Sequence, residues 1–235
     1  MKILLIQPSR FRSDGRLERK KRRWLLGMTL PYVAALAPRE ARVQIKDDLL
    51  EDITFQEDCD LVGLSFMSHQ ASRAYQIAAG FRARGVPVVL GGFHATLAPE
   101  EAREHADALV LGEAEEAWPR LLKDFQAGKL QPLYQAERLS DLKALPVPRY
   151  DLLDLKRYKL LNIPSQTTRG CPWPATTARS PRSTVAASAT APWTRCSMKS
   201  RKSGASPAAR SSTSWTTTLW PTASMPWPSW SASSP

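Results

Sequence analysis

Small, hydroxyl-bearing and acidic residues follow three short apolar runs of this 235-residue chain. Glycines let a ligand approach the backbone closely, and serine hydroxyls or a carboxylate can hydrogen-bond to it. Together they suit a large planar or nucleotide-bearing ligand. The three stretches are Ser65-Phe66-Met67-Ser68-His69, Gly91-Gly92-Phe93-His94 and Gly112-Glu113-Ala114-Glu115.

Each of these residues also has a plainer interpretation. Ser65 and Ser68 can form turns at a strand end, and the Gly91-Gly92 pair can turn the chain out of a sheet. His69 is expected to start a helix, whereas His94, after the glycines, is expected to point into the mouth of a crevice. His105, at a helix end, is expected to be solvated.

Strand-like and helix-like stretches alternate through the first 130 residues. The apolar runs are too short for helices and are apolar on both faces, as in a parallel sheet covered on both sides. The pattern predicts a doubly wound α/β domain with a five-stranded parallel sheet. The predicted strands are Lys2–Gln7, Val43–Lys46, Leu61–Phe66, Pro87–Leu90 and Ala108–Leu111, and the predicted helices are Trp24–Leu36, Gln70–Arg84, Pro99–His105 and Glu115–Gln126.

In such a domain, ligands bind beyond the carboxyl ends of the strands, where the three stretches lie. An ordinary dinucleotide-binding domain would carry a G-x-G-x-x-G turn after the first strand. Here Gln7-Pro8-Ser9-Arg10 stands in its place, which disfavours that class. A flavin- or nucleotide-binding module of the flavodoxin-like or response-regulator-like kind remains an alternative. The strand-one end lacks the acidic cluster of a phosphoacceptor site.

The order of these motifs resembles the cobalamin-binding domain of cobalamin-dependent radical S-adenosylmethionine proteins, a Rossmann-like or flavodoxin-like fold. Ser65-Phe66-Met67 and Gly91-Gly92 match two elements that line the cofactor's nucleotide tail in that family. The third element, an Asp-x-His-x-x-Gly supplying a lower axial histidine, is missing. The resemblance covers residues 1–174 and implies that cobalamin is bound by Ser65, Met67, Ser68, Gly91, Gly92, His94, Gly112 and Glu113. It also implies that a side chain at Gly92 would fill the space of the tail.

The same resemblance bears on Cys171, in Arg169-Gly170-Cys171-Pro172. Family members hold a [4Fe–4S] cluster by C-x3-C-x2-C, and the cluster reduces S-adenosylmethionine to release a 5′-deoxyadenosyl radical. Cys171 is the first cysteine of that pattern and the implied metal ligand, but Ala175 and Ala178 occupy the other two positions. Because alanine cannot ligate iron, the chain is expected to be catalytically inactive.

The composition changes abruptly after Pro174. In residues 175–235, Ser and Thr take 25 of 61 places, with seven Pro, five Trp and no acid. Such a segment cannot bury much apolar surface, which predicts disorder, although five tryptophans are unusual for a natural disordered tail. Read one base earlier, the codons of Ala175-Thr176-Thr177-Ala178 can spell cysteine at both ends. We therefore hypothesise a frameshift near Pro174, which leaves Cys196 without an inherited role.

The predicted organisation is a cobalamin-binding domain at 1–130, a linker at 131–166, the start of a radical S-adenosylmethionine domain at 167–174 and the tail at 175–235. The net charge of +11 suggests a nucleic-acid binder, but residues 1–174 carry only +4. The basic run 10–23 is expected to be a solvated loop. No aromatic platform or recognition helix accompanies it, which disfavours nucleic acid as a partner.

Cysteine content and hydropathy indicate the cellular compartment in which the protein is expected. Three cysteines cannot form a disulfide framework, which favours a reducing cytoplasm, and Cys59 is expected to be a small buried residue. The sequence has no apolar run of about eighteen residues, so no membrane span is expected. The amino-terminal apolar run is too short for a signal-peptide core.

Overall fold

Six parallel strands form the central sheet of the computed structural model, in the order β2-β1-β3-β4-β5-β6. The structure describes residues 1–136 and 145–159, with 163–164, 166, 168–169 and the backbone of 189–190. The strands are β1 Lys2–Gln7, β2 Arg42–Asp47, β3 Leu61–Ser65, β4 Val88–Gly91, β5 Ala108–Leu111 and β6 Leu133–Gln135.

The doubly wound parallel α/β fold is confirmed, but the predicted count of five strands was wrong. β6 pairs with β5 and lies in the segment predicted to be a linker. It has only three residues, of which Tyr134 alone is buried. Such a short strand has no repeating pattern, so its pairing with β5 and not its sequence defines it.

Within the described residues, five helices connect the strands. They are α1 Thr29–Ala35, α2 Ala71–Arg82, α3 Phe93–Leu97, α4 Pro99–Glu104 and α5 Ala114–Gln126, with single 3₁₀ turns at Ser68–Gln70, Tyr150–Leu152 and Leu155–Arg157.

The largest differences between the helices and the sequence prediction are at α1 and α3. α1 begins at Thr29 and not at Trp24, because Trp24 lies in the preceding irregular segment with its ring against the Lys159 ammonium, 4.3 Å from the centroid. α3 was not predicted, because it is a five-residue helix that starts directly after Gly92. None of the helices in the described ranges is long and apolar enough to cross a bilayer.

Side chains of alternate strand residues pack on opposite faces of the sheet, as the pleat requires. On one face, Leu4, Val62 and Leu90 pack against α2, α3 and α4. On the other face, Leu5, Leu61 and Val89 pack against α1 and α5. The core is therefore two layers separated by the sheet, which explains why the strands are apolar on both faces.

The basic run 10–23 is not simply a solvated loop, contrary to the prediction. Arg19 Nη1 lies 2.8 Å from Asp48 Oδ1, and Arg23 Nη1 lies 2.6 Å from Asp47 Oδ2. Asp48 is fully buried and is also paired with Arg73, whose Nη2 lies 2.9 Å from Oδ1. Part of the run therefore folds back onto the carboxyl end of β2 and neutralises two acids there.

The chain after β6 also packs on the domain where it is described. The backbone N–H of Arg149 donates to Pro31 O at 2.8 Å, which ties the segment to α1. Tyr150 and Tyr158 are buried with Leu26 and Leu50 in a small third core. Further along, β7 Thr168–Arg169 pairs antiparallel with β8 Ala189–Thr190. Cys171, the positions of the broken cysteine pattern and the rest of the predicted disordered tail lie outside the described residues.

Candidate functional site

A cleft of about 740 Å³ opens between the carboxyl half of the sheet, α1 and the start of α5. This volume lies within the roughly 300–1000 Å³ of typical small-molecule sites. Strand residues form its floor, α1 forms one wall, and the α5 start with the segment around Arg169 forms another. Five of the predicted site residues line it, namely Ser65, Gly91, Gly92, Gly112 and Glu113.

The cleft exists because the residues on this face of the sheet have smaller side chains near the carboxyl ends of the strands than near the amino ends. Along β3, Leu61 is followed on the same face by Gly63 and then Ser65, and along β4 Val89 is followed by Gly91. A Cβ on Gly63 would lie 2.9 Å from Leu5 Cδ2 and 3.3 Å from Trp118, so Gly63 lets the indole ring approach the floor. At Gly91 a Cβ would contact only Val110, at 3.3 Å to its carbonyl oxygen, so this glycine keeps the cleft open.

Gly92 is required by the protein backbone itself. Its φ is +91°, and a Cβ would lie 2.7 Å from Ser65 Oγ and 2.8 Å from the backbone nitrogen of Phe66. A side chain at Gly92 would therefore meet the end of β3 first, and the predicted reason for glycine here, space for a ligand, stays a prediction. Gly92 lines the cleft through its backbone.

A hydroxyl group links the two glycine turns at the cleft edge. The Thr96 hydroxyl donates to Gly92 O at 2.9 Å and accepts from the Gly112 N–H at 3.0 Å. Gly112 has a φ of +70° and nothing near its would-be Cβ. Thr96 on α3 thus holds the turns after β4 and β5 in one arrangement, a role that no sequence pattern indicated.

Met67, Ser68 and His94 do not line the cleft. His94 Nδ1 lies 3.1 Å from Ser68 Oγ, and its Nε2 lies 3.0 Å from the Tyr75 hydroxyl on α2. The expectation that His94 points into the crevice mouth was therefore wrong. Met67 is 55 % exposed.

The other predicted polar and thiol residues lie away from the cleft. His105 stacks on Tyr75 with ring centroids 3.9 Å apart and is not simply solvated. Cys59 is partly buried against the core, and burial raises the pKa of its thiol to about 11. All three histidines of the chain belong to the described residues, and none lines the cleft. Within the described ranges, no group of three or more histidines, cysteines or acids could hold a metal ion.

A charged cluster forms one rim of the cleft. Arg169 Nη1 lies 3.0 Å from Glu113 Oε1 and 2.7 Å from Glu115 Oε1, and the Tyr32 hydroxyl donates to the same Glu115 oxygen at 2.9 Å. Burial opposes the charge of Arg169, but Glu115 and Glu113 outweigh it and raise the pKa of the guanidinium. Burial, followed by the charge of Glu115, raises the pKa of Tyr32, so its phenol stays protonated.

Trp118 on α5 lines the cleft and carries a polar group, its indole N–H. Its side chain is 3 % exposed, and its buried indole N–H has no acceptor among the described residues. A buried donor without a partner costs free energy, which an acceptor on a bound ligand would recover. Together with the glycine-lined floor, this donor fits a bulky ligand that carries polar atoms.

The sequence did not predict the contribution of α1, Thr96, Trp118 or Arg169 to the cleft. Among these, only Trp118, the single tryptophan on the buried face of α5, could have been proposed from the sequence. The others follow from how α1, α3 and the segment after the domain dock on the sheet.

A doubly wound sheet with an open cleft at the carboxyl ends of its strands defines a ligand-binding α/β domain. Residues 32–122 match the model of the B12 binding domain. The match begins within α1 and extends into α5. It confirms the resemblance to cobalamin-binding proteins drawn from the sequence.

Characterised relatives are methyltransferases. The chain is 37 % identical over 155 residues to the bacteriochlorophyllide d C-8(2)-methyltransferase of Chlorobaculum tepidum, covering 63 % of this chain and 34 % of that protein. It is 30 % identical over 151 residues to the C-12(1)-methyltransferase of the same organism, covering 62 % and 33 %. The hopanoid C-2 methylase of Rhodopseudomonas palustris is 28 % identical over 150 residues, covering 61 % and 28 %. The chain therefore spans about a third of the length of these relatives.

Proposed function

We propose that this chain binds cobalamin in the cleft between α1, α5 and the carboxyl half of the sheet, as the cofactor-binding part of a radical S-adenosylmethionine methyltransferase. The observation that carries the proposal is the small-residue floor of the cleft, within a segment that matches the B12 binding domain. When bound, cobalamin would carry the methyl group. The residues of this chain would hold it and exclude water.

The cleft suits the nucleotide tail of cobalamin. Ser65 and Gly91 form the floor past which the tail would lie, and Trp118 offers an indole N–H to a polar atom of it. Met67 and Phe93 are 55 % and 51 % exposed at the same end of the sheet, where an apolar rim would support the corrin ring. Because no histidine lines the cleft, the cobalt would receive no imidazole from this domain.

The substrates in the names of the relatives also indicate which part of such an enzyme binds the cofactor and which part recognises the substrate. A bacteriochlorophyllide and a hopanoid are chemically different, yet this chain matches a similar share of each methyltransferase. A shared segment serving different substrates fits a role in holding the cofactor. We infer that substrate recognition belongs to the remaining parts of such enzymes.

Cobalamin binding is tested by titrating the full chain with hydroxocobalamin and following visible absorbance and co-elution in gel filtration. The wild type should co-elute with the cofactor. Gly91→Val should weaken binding by at least about tenfold, since its side chain would project into the cleft. Gly27→Val is the matched control, because Gly27 is exposed, has no atom near its would-be Cβ and does not line the cleft.

Circular dichroism and thermal unfolding show whether each glycine variant keeps the fold. Gly91→Ala introduces a smaller side chain than Gly91→Val at the same position and should weaken binding less. If the wild type does not retain cobalamin, the assignment fails. If Gly91→Val binds as tightly as Gly27→Val, the cleft is not the site.

We further propose that the chain as written is catalytically inactive, because Cys171 is followed by Ala175 and Ala178 in place of the remaining cluster cysteines. Anaerobic reconstitution with iron and sulfide should give far less than one [4Fe–4S] cluster per chain. Sequencing the coding DNA across codon 174 tests the frameshift hypothesis. A stoichiometric cluster in the unaltered chain would contradict inactivity, and an unambiguous in-frame read would contradict the frameshift.

A further inference from the structure

Arg169 and its acidic partners connect two parts of the chain that are distant in sequence. Glu113 and Glu115 lie where β5 passes into α5, at the rim of the cleft. Arg169 belongs to the segment after the α/β domain, two positions before Cys171. Its guanidinium also donates to Gln166 Oε1 at 2.8 Å. A residue of the same segment therefore helps to hold the guanidinium in its orientation.

The cluster is too buried to be an incidental surface contact. The side chains of Arg169, Glu113 and Glu115 are only 19 %, 12 % and 7 % exposed. Exposed ion pairs contribute little to stability, whereas removing one partner of a buried pair leaves an uncompensated charge. Because Arg169 Nη1 lies within 3.0 Å of both carboxylates, its charge offsets the repulsion between them. The arrangement therefore holds only while Arg169 stays in place.

The pairing has a consequence for the cleft. Gln166 and Arg169 are among its lining residues, so the segment that carries them forms part of its wall. Tyr32 on α1 donates to Glu115, so the same carboxylate joins α1, α5 and the later segment. Opening this wall requires the Arg169 ion pairs to break.

We propose that Arg169 is a positioning residue that fastens the segment leading to Cys171 onto the rim of the cleft, through the carboxylates of Glu113 and Glu115. The fastening places the start of the next domain against the cofactor cleft and slows the release of a ligand from it. Only the identity of that ligand, cobalamin, rests on the proposed function.

Trypsin provides a direct test, because it cleaves after arginine only when that side chain is free to enter the protease. Cleavage of the Arg169–Gly170 bond in the full chain without cobalamin is timed by mass spectrometry, with cleavage after exposed Arg16 as the internal reference. The wild type should be cleaved more slowly after Arg169 than after Arg16. Glu115→Gln should accelerate cleavage after Arg169 by about tenfold while leaving the Arg16 rate unchanged.

Glu116→Gln is the matched control, since Glu116 is exposed on the same turn of α5 and is not paired with Arg169. Glu113→Gln is a second variant in case Glu115→Gln disturbs the fold. Arg169→Lys keeps the charge and the trypsin site. The rate of cleavage at position 169 should be intermediate, because the lysine ammonium is a point charge and cannot bind two carboxylates with the planar donor geometry of a guanidinium.

A second readout is the rate of cobalamin release from the loaded chain, which should rise in Glu115→Gln and not in Glu116→Gln. If the wild type binds no cobalamin, the proposed function fails and the trypsin experiment still decides on the fastening. The proposal is overturned if Arg169 is cleaved as fast as Arg16 in the wild type. It is also overturned if Glu115→Gln and Glu116→Gln behave alike.

Discussion

The Oγ atom of Ser65 lies 2.7 Å from the position that a Cβ atom would take on Gly92. The carboxyl ends of β3 and β4 therefore approach each other so closely that no side chain fits at Gly92, whose left-handed backbone also favours glycine. This close approach explains why Ser65 and Gly92, two of the small residues that suggested a ligand site, are also needed for the packing of the strand ends. It makes Gly92 a poor position for testing ligand binding and a good one for testing stability.

Gly92→Ala should therefore lower the free energy of unfolding by about 1–3 kcal/mol, since both the φ of +91° and the contact with Phe66 oppose a side chain. Urea unfolding measures the change. Gly112→Ala is the comparison, because its φ of +70° is also strained but nothing lies within 4 Å of its Cβ. Equal losses at the two glycines would show that the Ser65–Gly92 contact contributes nothing beyond backbone strain.

Trp118→Phe should weaken cobalamin binding by about tenfold and change the stability of the free chain by less than about 1.5 kcal/mol. The substitution removes an indole N–H that has no acceptor among the described residues and keeps an aromatic ring in the wall. Trp24→Phe is the control, because Trp24 is 59 % exposed and does not line the cleft. Unchanged affinity in Trp118→Phe would mean that the ligand does not use this donor.

Asp48 should make the protein sensitive to acid. Burial opposes its charge, but hydrogen bonds from Arg73 and Ser9 outweigh it and lower the pKa to about 2, from 3.8. A lowered pKa stabilises the fold by roughly 2 kcal/mol above pH 3.8, and this contribution is lost as the pH falls toward 2.

Asp48→Asn should cost about 3 kcal/mol or more near neutral pH, because it leaves Arg73 buried without its carboxylate. It should also flatten the loss of stability between about pH 4 and about pH 2, as measured by urea unfolding. Asp52→Asn serves as the control, because Asp52 pairs with Arg19 but is 83 % exposed. A wild-type acid profile retained in Asp48→Asn would contradict the assignment.

His94→Ala should leave the electron paramagnetic resonance spectrum of bound Co(II) cobalamin unchanged. Both ring nitrogens of His94 already face protein hydroxyl groups, on Ser68 and Tyr75, and His94 does not line the cleft. Losing these contacts should cost about 1 kcal/mol of stability, measured by thermal unfolding. Exposed His69 is the matched control. Loss of a cobalt–nitrogen signal in His94→Ala alone would place this histidine on the metal.

The class of fold was predictable from the sequence alone. Lys2–Gln7 and Ala108–Leu111 are strands with the predicted bounds, because an apolar run that is too short for a helix and apolar on both faces fits the centre of a covered sheet. The sequence also located the ligand edge, since the carboxyl ends of parallel strands meet on one side of the sheet. Small residues at those ends, such as Gly91, are evident in the sequence.

Which of those residues face the cleft depends on the tertiary packing of the elements. His94 turns toward Tyr75 because α3, a helix too short to predict, starts directly after Gly92 and directs the side chain toward α2. Arg169 meets Glu115 because the segment after the domain returns to α1 and α5, and no periodic pattern encodes such a long-range contact. Periodicity reports which face of an element is buried, whereas side-chain partners depend on how separate elements dock.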